Sequence, residues 1–317
     1  MSYLGVDLGT GGCRCAVVND AGEIEAEASA PFNSINQSMI AGRSEQSAHD
    51  WIQSFEICLD KIFSFRLKES INAISVDGTS GTVLPVSPDG EALANALMHN
   101  DMRASEEAKL CQNVFDGDCS PTFALPKILW MQKKLSLPDN TLFLHSSDFL
   151  FAWLAGTVEV PTDFTNAMKT GVDLECESWR QHEIIDSLHL PKIIPPGQSF
   201  GEVCRSHRKK WGIDQEVILV SGATDSNAAF YASGACKLGD WASTIGTTLA
   251  VKGLSAEKIT DQGGRIYCHK HPDGIWLPGG ASNAGAEIIR QKFSGREQHI
   301  EELLKKSDLS VKGLLYP

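Results

Sequence analysis

Residues Tyr3–Gly12 read YLGVDLGTGG. A hydrophobic run meets an aspartate, and a glycine-rich turn carrying one threonine follows. Such a run predicts a strand, Tyr3–Asp7, and the glycines predict that the chain turns back at once. Backbone N–H groups in a glycine turn can approach a phosphate closely, yet Asp7 would repel that anion. A metal ion between carboxylate and phosphate resolves the conflict. The theme returns far along the chain. EVILVSGATDSNAAF, Glu216–Phe230, reads as a strand, a small-residue turn with Asp225, and the start of a helix. WASTIGTTLAVKG, Trp241–Gly253, predicts a hairpin with a Gly-Thr-Thr tip. Gly-Thr hairpins near both ends suggest two related halves facing each other across a cleft.

Between these motifs, Cys13–Asn19 and Glu23–Ala30 extend the opening strand into an antiparallel meander, with a turn at Asp20-Ala21-Gly22. Residues 47–69 carry Trp51, Phe55, Leu59, Ile62 and Phe63 at near three-to-four spacing, which predicts a helix. Ile71–Val76 predicts a strand ending in VDGTSGT, Val76–Thr82, and Val83–Ser87 another. Residues 104–200 read mainly helical, broken at Pro121, Pro126, Pro138 and Pro161, with a loop at Lys192–Val203. Ile275–Leu277 predicts a strand before a glycine turn that opens a helix within Pro278–Gln291. Arg296–Lys306 predicts a last, solvated amphipathic helix.

Each chemical candidate has a plain alternative. Asp7 with Thr10, Gly11 and Gly12 reads as a phosphate turn with a metal-holding carboxylate, or as a hairpin turn with a capping aspartate. Asp225 reads as a general base, or as the N-cap of the helix that follows it. Gly246-Thr247-Thr248 and Gly279-Gly280 are ordinary turns singly; two acidic loops and two glycine–threonine loops together favour a phosphate ligand. Cys13 and Cys15 share one face of a strand, where small core packing outweighs a metal or redox role.

Composition narrows the classes. A net charge of −12 disfavours a general nucleic-acid binder. The 42% hydrophobic and 21% charged residues describe a globular chain with material for a core. The N-terminus shows no basic and then apolar leader, and no apolar run reaches membrane-span length. The nine cysteines are scattered and odd in number, which suits a reducing cytoplasm. There is no G-x-x-x-x-G-K-[ST], no H-E-x-x-H and no paired C-x-x-C.

DLGTGG, SGATDSNAA and STIGTTL, in this order, resemble the phosphate and catalytic loops of the FGGY carbohydrate kinases. NDMRA, Asn100–Ala104, is similar to their W-N-D-x-R sugar loop, with His99 in place of the tryptophan. LPKILWMQ, SSDFLFAWLAG and TDFTNAMKTGVDLE follow the family's middle. The resemblance implies an α/β fold of duplicated ribonuclease-H-like domains, as in actin, hexokinase and Hsp70, with mixed sheets flanked by helices. It implies a sugar-binding domain over 1–232, with a helical insert at about 104–200, and the first part of a nucleotide-binding domain over 233–317. It implies ATP and Mg²⁺ as cofactors, Asp225 as the base and Asp7 as the metal ligand. Sugar contacts fall to Gly12, Cys13, Asp77, Thr79, Ser80, Asp101, Arg103 and Asp225. Nucleotide contacts fall to Thr10, Gly11, Gly246, Thr247, Thr248, Gly279, Gly280 and Asn283. DGTSGT with GGASNAG resembles plant and cyanobacterial-type kinases of D-ribulose, which puts D-ribulose first and D-xylulose second. The expected partners are a small sugar and ATP, with no nucleic acid, no membrane and a homodimer compatible. A non-catalytic actin-like sugar binder is the alternative from another class. Beyond GLLYP the family continues into an adenosine loop and a closing helix. This form is therefore expected to bind sugar better than ATP and to self-associate or be only marginally stable.

Overall fold

The computed structural model describes residues 1–33, 41–65, 70–115, 119–245, 249–261, 265–282 and 285. The chain divides into two compact units, Met1–Ala228 and Ala229–Pro317. In chain order the first unit runs β1 (Ser2–Leu8), β2 (Gly12–Asn19), β3 (Ile24–Pro31), α1 (Ala48–Ser64), β4 (Ile71–Gly78) and β5 (Val83–Val86). Then follow α2 (Ser105–Leu110), α3 (Ala124–Lys134), β6 (Leu142–His145), α4 (Ser146–Ala155), α5 (Phe164–Ala167), β7 (Ser199–Glu202), β8 (Ile218–Val220) and α6 (Asp225–Ala232), whose end enters the second unit.

The first unit is organised by a six-stranded sheet in the order β7-β8-β4-β1-β2-β3. β1 pairs antiparallel with β2 and parallel with β4, and β4 pairs parallel with β8. Alternation along β1 sends Leu4, Val6 and Leu8 inward and leaves Tyr3 and Gly5 exposed. Against that apolar face, α1 buries Trp51, Phe55, Cys58, Leu59 and Ile62 at helical spacing. Leu150 and Leu154 of α4 join the same core. The helix α4 is fixed at both ends: a capping box between His145 and Asp148 starts it, and left-handed Gly156 ends it.

The second unit holds a four-stranded antiparallel sheet, β9 (Trp241–Ile245), β10 (Leu249–Gly253), β11 (Tyr267–Lys270) and β12 (Trp276–Ser282), in the order β9-β10-β12-β11. Phe230, Leu254 and Leu277 form its core. Among the described residues no helix is long and apolar enough to cross a membrane.

The structure amends one reading and corrects two. Helices are the main regular structure of the middle, but short strands that the reading did not place interrupt them: β6 lies antiparallel to β5, and Thr162–Asp163 pairs with Ile193–Ile194. The Lys192–Val203 segment is not all loop, since β7 pairs with β8 at the sheet edge. Gly279 and Gly280 form no turn but sit inside β12, paired with Lys252 and Val251. A Cβ on Gly279 would lie 2.6 Å from the Tyr267 ring, so this glycine admits an aromatic neighbour. Gly246, Thr247, Thr248, Asn283 and the helices expected within 278–291 and over 296–306 lie outside the described residues.

One close approach aligns the strand ends. A Cβ on Gly222 would stand 1.9 Å from the Val76 carbonyl oxygen, so the turn after β8 touches β4 only because residue 222 has no side chain. Gly222→Ala should cost about 1–3 kcal/mol, the scale of overpacking, and lower the thermal midpoint by several degrees. Gly11→Ala, where no atom lies within 4 Å of the added carbon, should leave it nearly unchanged. Equal midpoints for both variants would contradict this account.

Candidate functional site

The sheet register builds the site. Parallel pairing sets Asp7 opposite Asp77, and antiparallel pairing sets Asp7 opposite Arg14. Arg14 Nη1 meets Asp7 Oδ2 at 2.8 Å, and Arg14 itself is largely exposed. Burial pushes the Asp77 pKa up to about 8, helped by the charge of Asp7, a hydrogen bond with it, and the charge of Asp225. Asp77 is therefore protonated at neutral pH, and its Oδ1 is buried with no partner among the described residues. A cavity of about 490 Å³ opens beside these groups, lined in part by Asp7, Arg14, Glu27, Ser29 and Asp77.

Asp225 arrives from the next strand. An isolated parallel bridge joins Gly78 and Thr224, so Asp225 stands exposed as the first residue of α6. Its Oδ1 accepts the Ser226 N–H at 2.6 Å. Buried polar groups fix the residue before it. Asp163 Oδ1 accepts the Thr165 hydroxyl proton, which leaves Thr165 Oγ1 to accept the Thr224 N–H at 2.8 Å. Asn227 Nδ2 donates to Thr224 Oγ1 at 2.8 Å. Thr224 and Asn227 are thus buried, and the Asp225 carboxylate itself reaches solvent.

The Thr79–Thr82 loop and the residues around it supply further polar groups. Lys127, fully buried, donates from Nζ to the carbonyls of Gly81, Met98 and Thr122 at 2.9, 2.6 and 2.9 Å. Burial pushes its pKa down to about 7, while three carbonyl acceptors match the three donors of an ammonium. Lys169 Nζ donates to the Ser80 carbonyl at 3.2 Å, and Asp225 opposes the downward push that burial exerts on it. His99 is held neutral by burial and by Lys127 and Lys169, and its Nδ1 is buried without a partner among the described residues. Ser146 Oγ and Asn166 Oδ1 share that condition. Buried polar atoms are normally paired, so several unpaired ones around one carboxylate group mark a place for a polar ligand.

Other expected contacts are corrected. Cys13 is fully buried, and its thiol packs in the core with those of Cys15 and Cys58, 3.9 Å from that of Cys15. Its side chain cannot meet a sugar. Asp101, also fully buried, accepts from the Ser44 N–H at 2.7 Å and from the Arg103 backbone and guanidinium. Arg103 is further spent on Glu45 at 2.7 Å and on the Trp130 ring. This pair braces the loop from within. The Thr79 hydroxyl bonds that of Thr82 at 2.6 Å. A Cβ on Gly12 would stand 2.5 Å from the Ala30 carbonyl, so this glycine serves the β2–β3 pairing. Thr10 and Gly11 are exposed at the turn, with their carbonyls held by Gln46 and Phe32.

Sequence reasoning missed Arg14, Lys127 and Lys169. Arg14 had a signal, an opposite charge across a two-strand hairpin; the lysines had none, because only the fold brings them to this loop. Partly exposed Asp7 is a hard oxygen donor of the kind Mg²⁺ takes, and Asp77 beside it becomes a second on losing its proton, so the pair fits that ion.

Known proteins resemble this chain in sequence and in fold. Residues 2–231 match the family model described as FGGY family of carbohydrate kinases, N-terminal domain. The chain is 24% identical to a xylulose kinase of Bacillus subtilis, over all of this chain and 67% of that protein. It is also 24% identical to a gluconokinase of the same organism, over 93% of this chain and 60% of that protein. A solved xylulose kinase from Rhodospirillum rubrum superposes with a TM-score of 0.84 at 18% identity, covering 98% of this chain and 68% of that one. The fold is therefore the expected ribonuclease-H-like one, and the chain spans about 60–67% of the length of these two curated relatives.

A raised carboxyl pKa has a signed consequence. The Asp77 proton is bound in the folded state up to about pH 8 and lost from the unfolded chain near pH 4, so stability falls as pH rises between those values. Asp77→Asn should remove that fall. Unfolding free energies from urea titrations at pH 5 and pH 9 should separate by at least about 1 kcal/mol less in the variant than in the parent. An unchanged separation would refute the protonated Asp77.

Proposed function

This chain belongs to the FGGY family of carbohydrate kinases, and we propose that it carries the acceptor side of ATP-dependent phosphoryl transfer to the terminal hydroxyl of a ketopentose. The supporting observation is the convergence of Asp7, Asp77 and Asp225 with unpartnered buried polar atoms on one end of the sheet. Asp225 takes the proton from the attacking hydroxyl, from a backbone position held by Thr165. Ser80 and the polar groups behind it orient the sugar. Asp7 would hold Mg²⁺, with Asp77 able to join it on giving up its proton, and the ion would neutralise charge on the donor phosphates. The Thr10–Gly11 turn and Arg14 face those phosphates, and residues 246–248 are assigned the same task by resemblance alone. Phosphoryl transfer asks mainly for position and electrostatics, which these rigid strand ends supply.

Residues 1–232 are proposed as the sugar-binding domain and 233–317 as the first part of the nucleotide-binding domain. D-Ribulose is the first candidate because of the DGTSGT loop, Asp77–Thr82; D-xylulose is the second because xylulose kinases are among the similar curated proteins. ATP as donor and nine free cysteines suit a cytoplasmic setting.

Sugar-dependent ADP release tests the reading. In a full-length version, Asp225→Asn should lower kcat by at least ~10²-fold, the scale of a lost general base, and change the sugar Kd by less than ~3-fold. Near-native turnover in the variant would sink the assignment. Sugar binding by the parent with no ADP release would support the non-catalytic alternative instead.

A further inference from the structure

Two lysines flank Gly81, and they are spent differently. Lys127 has three acceptors for three donors. Lys169 has one hydrogen bond among the described residues, to the Ser80 carbonyl. Its stem is nonetheless fixed. A Cβ on Gly81 would stand 3.0 Å from Lys169 Cδ and 2.9 Å from the Thr122 carbonyl, and Gly81 has a φ of 86° that favours glycine. The loop thus closes over the lysine and leaves two of its N–H donors uncommitted. Asp225 lies within its electrostatic reach, as does His99 with the unpartnered Nδ1.

The chemistry of these groups differs in kind. Asp225 only accepts, so it suits a hydroxyl. Lys169 only donates and carries a positive charge, so it suits an electron-rich oxygen that brings no proton of its own. A ketone carbonyl or a carboxylate offers such an oxygen. A fully reduced polyol offers only hydroxyls, weaker acceptors whose protons must turn away from the ammonium. We infer that Lys169, with His99 in its electrostatic reach, determines specificity in the acceptor site, selecting polyol chains that carry an sp² oxygen over fully reduced ones. This rests on the acceptor-site reading above and extends it to a substrate class.

Calorimetry of the chain with D-ribulose, D-gluconate and ribitol tests the inference. The parent should bind the ketose and the aldonate at least ~10-fold more tightly than ribitol. Lys169→Met should shrink that preference to within ~3-fold, by weakening the first two while leaving ribitol alone, and Lys169→Arg should restore most of it. A larger loss for gluconate than for ribulose would mark the carboxylate as the principal ligand; the reverse would mark the carbonyl. In the unmutated protein, ribulose but not ribitol should protect Lys169 from an amine-acylating reagent, read by peptide mass, which keeps the test independent of how the variants fold. Unchanged preference in Lys169→Met, or equal protection by both ligands, overturns the inference and leaves the acceptor site standing. Binding of none of the three compounds overturns the acceptor site and this inference with it.

Discussion

Asp7 and Asp77 stand side by side because β1 and β4 are parallel and in register, and much of the site follows from that pairing. Two carboxylates on adjacent strand ends cannot both ionise cheaply when one is buried. The sheet answers in two ways: Asp77 keeps a proton, and Arg14 comes across the β1–β2 hairpin to Asp7. A cation placed between the carboxylates relieves the same repulsion. Arg14 already answers Asp7, whereas one oxygen of Asp77 has no partner among the described residues, which is why the proposed metal is placed here.

The third carboxylate depends on backbone contact. Gly222 lets the chain after β8 touch Val76, and Thr224 bridges to Gly78, so Asp225 is set by the same strand that carries Asp77. Behind it lies a polar core. Asp163, pushed up by burial, is satisfied by Thr165 and Asn166. His145 joins Asp148 at 2.8 Å and Thr170 at 2.9 Å. Such networks are costly unless complete, and this one is nearly complete until it reaches the loops around Asp225. Gaps at Asp77, His99, Ser146 and Asn166 belong to this region, while Glu25 Oε1 and Trp211 Nε1 are buried without a partner elsewhere among the described residues.

Much of this was legible in the sequence. The opening meander, the helix over Trp51–Ile62 and the hairpin at Trp241–Gly253 have clear periodicity and turn residues, and they form. Asp7, Asp77 and Asp225 were visible as acidic residues at strand ends. The short strands of the middle were not legible, because two-residue ladders such as Thr162–Asp163 have no period to read. For Asp101 and Arg103, charge in a loop did not reveal whether it turns outward or, as here, inward upon itself. Lys169 was invisible as a candidate, since only the fold brings it to the Ser80 carbonyl and leaves it a single hydrogen bond among the described residues.

The central claim is that these strand-end groups form one sugar site. Amide and side-chain NMR of isotopically labelled protein, titrated with D-ribulose or D-xylulose, tests it directly. The account predicts saturable shifts confined to Asp77, Ser80, His99, Lys169 and Asp225 and their immediate neighbours. Shifts centred elsewhere, or none at millimolar sugar, would contradict it.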